Sequence, residues 1–150
     1  MTKVAPVSST IRRGKAADAV ICADILNNWI DAQDWMPRLH SKEDVRGFYC
    51  DFVFSDREVW VIGTPVTGFM ALDTASEMVT ALYVATPGKG AGRALLDHAK
   101  IGRDRLTLWT FVANASARRF YQREGFKELR RTDGDNEEGL PDILMQWERG

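Results

Sequence analysis

The chain has 150 residues, of which 45% are hydrophobic, and its five Trp and seven Phe supply enough apolar material for one buried core. No run approaches the roughly 18 apolar residues that a membrane span needs, and no leader-like apolar segment opens the chain. The net charge of −1 and the lack of a nucleic-acid motif argue against a nucleic-acid partner. Cys22 and Cys50 match no metal or redox spacing. We therefore expect a single cytoplasmic domain over residues 1–150, with no metal site and no membrane partner.

The small net charge hides an uneven distribution along the chain. Residues 88–131 have a net charge of +7, whereas residues 1–87 have −3 and residues 132–150 have −5. A small polyphosphate ligand or a solvated basic helix face would each account for the positive block.

The first half of the chain predicts a strand, two helices and three strands. TIRRG reads as a short strand, and Ser41 with Asp44 three residues later resembles a capping box that opens the second helix. EVWVI, GFMALD and SEMVTALYVA are β-rich runs separated by turns, so they predict three antiparallel strands. The first helix is predicted from apolar residues at helical spacing, which are Ile21, Cys22, Ile25, Trp29 and Ile30.

The second half predicts helix, strand, helix and two strands. The first of these helices carries Ala94, Leu95, Ala99 and Ile101 and ends near Gly102, and RLTLWTFV follows as a strand. A helix between two strands suggests a parallel pair. NASARRFYQREGF reads as a helix with Asn114 as N-cap and Gly125 just beyond its end, before strands over 126–131 and 143–147. The order predicts an α+β fold with a mixed, mostly antiparallel sheet of about seven strands flanked by about four helices.

TPGKGAGR, residues 86–93, concentrates three glycines before a predicted helix, which is typical of an anion site. A Walker A loop needs Ser or Thr after Gly-Lys, but Gly90 follows Lys89. A dinucleotide-binding fingerprint needs a third glycine at the position of Arg93. It also belongs to a βαβ unit, whereas antiparallel strands are predicted before this loop. These two kinds of phosphate loop therefore fit poorly.

LYVATPGKGAGRALLDHAK, followed about twenty residues later by NASARRFYQREGFKE, resembles the GNAT superfamily of acetyl-CoA-dependent N-acetyltransferases. That family pairs an R/Q-x-x-G-x-G loop after a valine-ended strand with a later N-x-x-A-x-x-F-Y-x-x-x-G-F helix. The order and spacing of both motifs agree, and the predicted elements match the family fold over nearly the whole chain. The loop departs from the pattern because Pro87 takes the Arg or Gln position and the loop is about two residues shorter.

The resemblance implies acetyl-CoA as acetyl donor and a set of residues that hold it. The pyrophosphate would lie on the loop and helix start, and the backbone of the preceding strand would meet the pantetheine arm. Asn114 would contact the pantetheine region, and Tyr121 would lie near the sulfur. The implied cofactor-binding residues are Leu82, Tyr83, Val84, Gly88, Lys89, Gly90, Ala91, Gly92, Arg93 and Asn114.

The implied reaction is direct attack of a primary amine on the thioester through a tetrahedral intermediate, with Tyr121 as the general acid for the departing thiolate. By the same resemblance, the Val84 N–H would stabilise the intermediate. The base that deprotonates the amine could be Glu77, a chain of waters or a carboxylate of the acidic DNEEGLPD loop, residues 135–142. Many relatives carry a Glu that aligns with Met78, and a shift of one position on a strand places a side chain on the other face.

The acceptor would be a small-molecule or peptidyl amine, and its identity and the oligomeric state stay open, a dimer included. Trp35, Met36 and His40 resemble one wall of the family's acceptor site. A second class of function is a degenerate CoA-binding sensor or interaction module, and a dinucleotide-binding oxidoreductase is a third. A negative cluster before the last strand would either attract an amine or form a solvated loop; its members are Asp133, Asp135, Asn136, Glu137, Glu138 and Asp142.

Overall fold

The computed structural model describes residues 10–150, and a seven-stranded sheet runs through this part of the chain in the order β1-β2-β3-β4-β5-β7-β6. Neighbouring strands are antiparallel except β4 and β5, which are parallel. The predicted domain starts at residue 1, but residues 1–9 lie outside the described residues. The strands are β1 Ile11–Arg13, β2 Glu58–Ile62, β3 Gly68–Asp73, β4 Met78–Val84, β5 Arg105–Phe111, β6 Lys127–Thr132 and β7 Asp142–Glu148.

Four helical segments accompany the sheet in the described residues. A single 3₁₀ turn, Ala16–Asp18, leads into the first, and the second runs without a break through a π-helical turn, Tyr49–Val53. Each is too short or too polar to cross a lipid bilayer. The helices are α1 Ala19–Ala32, α2 Lys42–Phe48 continued after the π turn by α3 Phe54–Asp56, then α4 Ala91–Lys100 and α5 Ala115–Arg123.

The two faces of the sheet carry separate cores because side chains alternate along each strand. On one face, Val59, Val61, Phe69 and Ala71 pack against α1 and the α2 segment. On the other face, the buried side chains of the strands pack against α4 and α5; they are Ile62, Met70, Leu72, Val79, Leu106, Leu108, Ile143 and Met145.

The predicted α+β fold and order of elements are confirmed. The Ser41 Oγ accepts a hydrogen bond from the Asp44 N–H at 3.0 Å, as an N-cap should. Gly125 has a φ of 94°, the left-handed conformation that glycine favours after a helix. Ile101 was expected on the apolar face of α4, but the backbone turns extended after Lys100 and leaves this side chain 70% exposed.

Candidate functional site

A cavity in the described residues opens where β4 and β5 separate. The two strands are paired only at Met78–Thr107 and Val79–Leu108, although β4 continues to Val84 and β5 to Phe111. The cavity has a volume of about 540 Å³ and is lined by both strands, the glycine loop, α5 and Trp29 of α1. Its size lies in the range of small-molecule and cofactor sites.

The backbone of β4 offers hydrogen-bonding groups to this cavity at alternate residues. The Ala85 N–H donates to the Thr67 carbonyl at 2.7 Å, which fixes the residues whose backbone groups face β3. Because the direction of these groups alternates along a strand, Tyr83 also faces β3, whereas Leu82 and Val84 face the cavity. The structure therefore supports backbone contacts from Leu82 and Val84. Tyr83 also lines the cavity, and its ring packs against Trp29 of α1 at 5.2 Å between centroids.

The glycine loop leaves the start of α4 uncapped by any side chain in the described residues. Gly88 and Gly90 have φ values of 80° and 82°, and space is open where a Cβ would stand. The first helical hydrogen bond runs from the Ala94 N–H to the Gly90 carbonyl at 3.0 Å. The amides of Ala91, Gly92 and Arg93 therefore have no carbonyl within the helix, and this end of the helix favours an anion.

Gly92 serves a different purpose from the other two glycines. A Cβ built there would lie 3.3 Å from the Phe120 Cζ, so its lack of a side chain lets α4 approach α5.

Two cations accompany the loop. The Arg93 guanidinium lies 3.8 Å from carboxylates of both Asp97 and Glu124. Lys89 forms no ion pair within residues 10–150, which leaves its charge available to an anion.

Asn114 caps α5 and also lines the cavity. Its Oδ1 accepts hydrogen bonds from the Ala117 N–H at 3.2 Å and the Ser116 hydroxyl at 3.3 Å. In the described chain its Nδ2 has no partner, so two donors remain for a ligand.

Tyr121 places a phenol in the cavity. Its side chain is 9% exposed, and its ring packs at 5.2 Å from Phe120 and 5.6 Å from Phe126, measured between ring centroids. Within the described residues the hydroxyl has no hydrogen bond, although the residue lines the cavity. Burial, and to a lesser extent Tyr83, raises the pKa of Tyr121 above its usual value, so the phenol keeps its proton at neutral pH.

Glu77, the residue predicted as a base, lies outside the cavity lining. It stands in the turn before β4 with a φ of 55°, and its carboxylate pairs with Arg105 at 3.5 Å. Its carbonyl accepts from the Thr107 N–H at 3.1 Å, at the end where β4 and β5 are still joined. Seven steps along the strand, roughly 23 Å, separate it from Val84. The structure therefore brings the predicted cofactor-binding residues and Tyr121 together but leaves Glu77 apart.

Two loops meet on the α1 side of the gap. Arg38 fixes the loop after α1, because its guanidinium donates to Asp31 at 2.9 Å and to the Asn27 side chain at 3.0 Å. In the same loop, His40 contacts Glu137 of the β6–β7 loop, with 2.5 Å between Nε2 and Oε1. This contact joins the predicted acceptor wall to the predicted acidic cluster.

Three of the six members of the acidic cluster, Asn136, Glu137 and Asp142, form side-chain contacts within the described residues. Asn136 donates to the Leu140 carbonyl at 2.7 Å and to buried Asp142 at 3.0 Å. Glu138 is half-buried and lies close enough to Tyr83 to help raise the pKa of that phenol to about 12, although burial is the larger cause.

Sequence reasoning missed Trp29 and Phe111 as cavity residues, because their helical and strand spacing indicated only core positions. The described residues hold no cluster of His, Cys, Asp or Glu that would bind a metal.

Solved structures share this fold along nearly the full chain. The apo form of YjaB from Escherichia coli is 24% identical, with 92% of this chain and 96% of that chain covered and a TM-score of 0.75. For yncA of Salmonella typhimurium, solved with its cofactor acetyl-CoA, the values are 23% identity, 94% of each chain and 0.68. For ribosomal-protein-alanine N-acetyltransferase of Brucella melitensis they are 19%, 93% of this chain, 99% of that chain and 0.70.

The fold and the open gap between β4 and β5 define a GNAT-type α+β protein. A sequence model of the acetyltransferase (GNAT) domain matches residues 55–128, the stretch that contains β4, the glycine loop, β5 and α5. Residues 55–128 therefore match the GNAT superfamily by sequence, and the shared fold extends this likeness over the rest of the described chain. No curated protein sequence matches it.

Proposed function

We propose that the protein transfers an acetyl group from acetyl-CoA to a primary amine, with Tyr121 as general acid. The observation that carries this proposal is the Tyr121 phenol, which is nine-tenths buried, has no hydrogen bond in the described residues and lines the same cavity as the uncapped start of α4. One end of the cavity thus suits an anion, and another point in it holds a proton donor. The match to the GNAT domain and the acetyl-CoA of the yncA structure support acetyl-CoA as the donor.

The residues present fit this donor. The open amides after Gly88 and Gly90, with Lys89 beside them, suit a pyrophosphate. The cavity-facing backbone of Leu82 and Val84 and the free Nδ2 of Asn114 suit the amides of a pantetheine arm. When bound, acetyl-CoA supplies an acetyl group activated as a thioester.

The chain's own groups account for two of the three proton and charge requirements. The Val84 N–H faces the cavity, where one such donor contributes about 2.7–4 kcal/mol to an oxyanion. The Tyr121 hydroxyl gives its proton to the leaving sulfur. The third requirement is a neutral amine, and deprotonating a lysine-like amine at pH 7 costs about 4–5 kcal/mol. Since neither Glu77 nor any carboxylate of the 133–142 loop lines the cavity, water is the better candidate for this step.

Replacing Tyr121 tests the proposal. Tyr121→Phe should lower kcat by about tenfold or more, with little change in the Kd of acetyl-CoA, because only the proton donor is lost. The assay measures thiol release with a panel of amines. Tyr49→Phe is the matched control: Tyr49 is also buried and its hydroxyl has no hydrogen bond in the described residues, but it lies outside the cavity. Equal turnover in wild type and Tyr121→Phe would exclude Tyr121 as the acid.

A CoA-binding module without turnover is the second candidate, and the position of Glu77 favours it, since no carboxylate lines the reactive part of the cavity near Val84. Binding of CoA with no thiol release from any amine in the panel would support it.

The structural relatives include enzymes named for ribosomal-protein alanine and for spermidine, so the shared fold leaves the acceptor open. The cytoplasmic location and the oligomeric state stay predictions.

A further inference from the structure

Strand β4 contains one residue more than the stretch of β3 that it faces. Ala81 lies opposite Ala71, but Val79 lies opposite Leu72, so Thr80 has no partner in β3. An extra residue of this kind is a β-bulge, which bends its strand and increases the local twist. The pairing of β4 with β5 ends at Val79, and along β4 the cavity lining begins there. The bulge therefore lies where the two strands separate.

The bulge interrupts the alternation of side chains along β4. Val79 belongs to the core on the α4 side, whereas Ala81, two residues later, packs against the core on the α1 side. Residues two apart on a regular strand share a face, so the interruption falls at Thr80. After it, Leu82 packs on the α4 side and Tyr83 on the α1 side. Without the extra residue, these two side chains would exchange faces.

The bulge also decides which backbone groups of β4 face the cavity. Before the bulge, the Thr107 N–H donates to the Glu77 carbonyl, so the next N–H along β4, that of Met78, points to β3. Unbroken alternation from Met78 would turn the N–H groups of Leu82 and Val84 to β3 as well. They face the cavity because one residue has been added between.

A side-chain hydrogen bond spans the bulge. The Thr80 Oγ1 donates to the Ala71 carbonyl at 3.2 Å, and Ala71 is the last β3 residue paired before the shift in register. A bulge disrupts the ladder locally, and a donor on the extra residue offsets part of that loss. Because Thr80 is exposed, this hydrogen bond, rather than burial of its side chain, is its contribution to the bulge.

We propose that Thr80 is a positioning residue of the donor site, whose hydroxyl holds the bulge that turns the N–H groups of Leu82 and Val84 into the cavity. Loosening the bulge would misalign the Leu82 N–H with the donor and the Val84 N–H with the oxyanion. Small errors in such positions lower both affinity and rate. The expected effect on turnover rests on the proposed acetyl transfer, whereas the effect on CoA binding does not require turnover.

Four side chains at position 80 isolate the hydroxyl. Thr80→Val should raise the Kd of CoA about threefold and lower kcat about fivefold, and Thr80→Ser, which keeps the hydroxyl, should stay within about twofold of wild type. Comparing Thr80→Ala with Thr80→Ser repeats the test in a smaller side chain, so it holds even if Thr80→Val fails to fold. Calorimetry and thiol release measure the two quantities. An unchanged Kd of CoA in Thr80→Val, or equal losses in Thr80→Ser and Thr80→Ala, would overturn the role of the hydroxyl.

Thr67→Val is the matched control. The Thr67 hydroxyl also donates to a strand carbonyl, that of Ile62 at 3.4 Å, but Thr67 lies outside the cavity lining. Its loss should leave the Kd of CoA and kcat within about twofold of wild type. A loss as large as that in Thr80→Val would show that the effect is not particular to the bulge, and would overturn the proposal.

Amide hydrogen exchange shows whether the change is local. The Ala81 N–H faces β3 and should exchange slowly in the wild type, and Thr80→Val should speed its exchange at least about fivefold without changing the amides of β7. Equal acceleration throughout the sheet would indicate general destabilisation and overturn the positioning role.

The same variants separate this inference from the acetyl-transfer proposal. Weaker CoA binding and faster Ala81 exchange in Thr80→Val, with no thiol release from any amine in the wild type, would refute acetyl transfer and support the role of Thr80. Thiol release by the wild type, with the same Kd of CoA in Thr80→Val, would support acetyl transfer and refute the role of Thr80.

Discussion

The two sides of the gap between β4 and β5 are built in different ways. The side of α4 and α5 comes from two continuous stretches, residues 86–93 and 114–125, and it binds mainly through backbone amides and helix starts. The α1 side combines α1, the loop after it, β4, β5 and the β6–β7 loop, and it presents side chains. A backbone site depends on local conformation, whereas a side-chain site depends on which distant segments the fold brings together.

This difference suggests that the two sides respond to mutation separately. Changes in the glycine loop should act on cofactor affinity, and changes in the packed rings of Trp29, Trp35, Tyr83 and Phe111 should act on the amine. A variant on one side that altered both affinities equally would show that the gap behaves as a single site.

The largest expected effect is on the backbone side. Gly90→Val should weaken CoA about tenfold or more in calorimetry, because a β-branched residue at a φ of 82° costs about 1–3 kcal/mol and its side chain enters the anion site. The amine should be unaffected. Gly102→Val is the matched control, since Gly102 also has a left-handed φ, 72°, and open space but lies outside the cavity. Equal CoA affinity in wild type and Gly90→Val would argue against the amide site.

A smaller effect is expected at Tyr83, which lines the cavity although its backbone groups face β3. Tyr83→Phe removes only the hydroxyl, so the KM of the amine should rise about fivefold while the Kd of CoA stays within about twofold. The backbone of residue 83 is unchanged and faces β3 in either case. A loss of CoA affinity with an unchanged amine KM would restore Tyr83 to the cofactor side.

Much of the backbone side could be predicted from sequence because its signals are local. Positive φ at Gly88 and Gly90 and the cap at Asn114 follow from residue type and neighbours. The purpose of Gly92 could not be predicted in this way. Its contact with Phe120 joins helices 28 positions apart in the chain, and nothing in the loop itself indicates that approach.

The acceptor side was harder to predict for the same reason. Helical spacing correctly places Trp29 on the inward face of α1, but the same spacing describes a core residue and a cavity residue equally well. Its contacts with Tyr83 and Trp35 depend on how α1 lies across the splayed strands. Likewise, the contact of His40 with Glu137 joins residues 97 positions apart, so charge patterning alone could not separate Glu137 from Glu138.

The smallest expected effect concerns Glu77, which tests whether the catalytic base could be predicted from sequence position. Glu77→Gln should leave kcat within about twofold, because the carboxylate pairs with Arg105 at the closed end of the strands. The free energy of unfolding should fall by no more than about 1 kcal/mol, the usual limit for a partly exposed ion pair, and Arg105→Gln should match it. Thiol release and urea unfolding measure these two quantities. A tenfold loss of kcat in Glu77→Gln alone would place the base in the turn before β4, and local sequence would then encode the proton chemistry as well as the cofactor site.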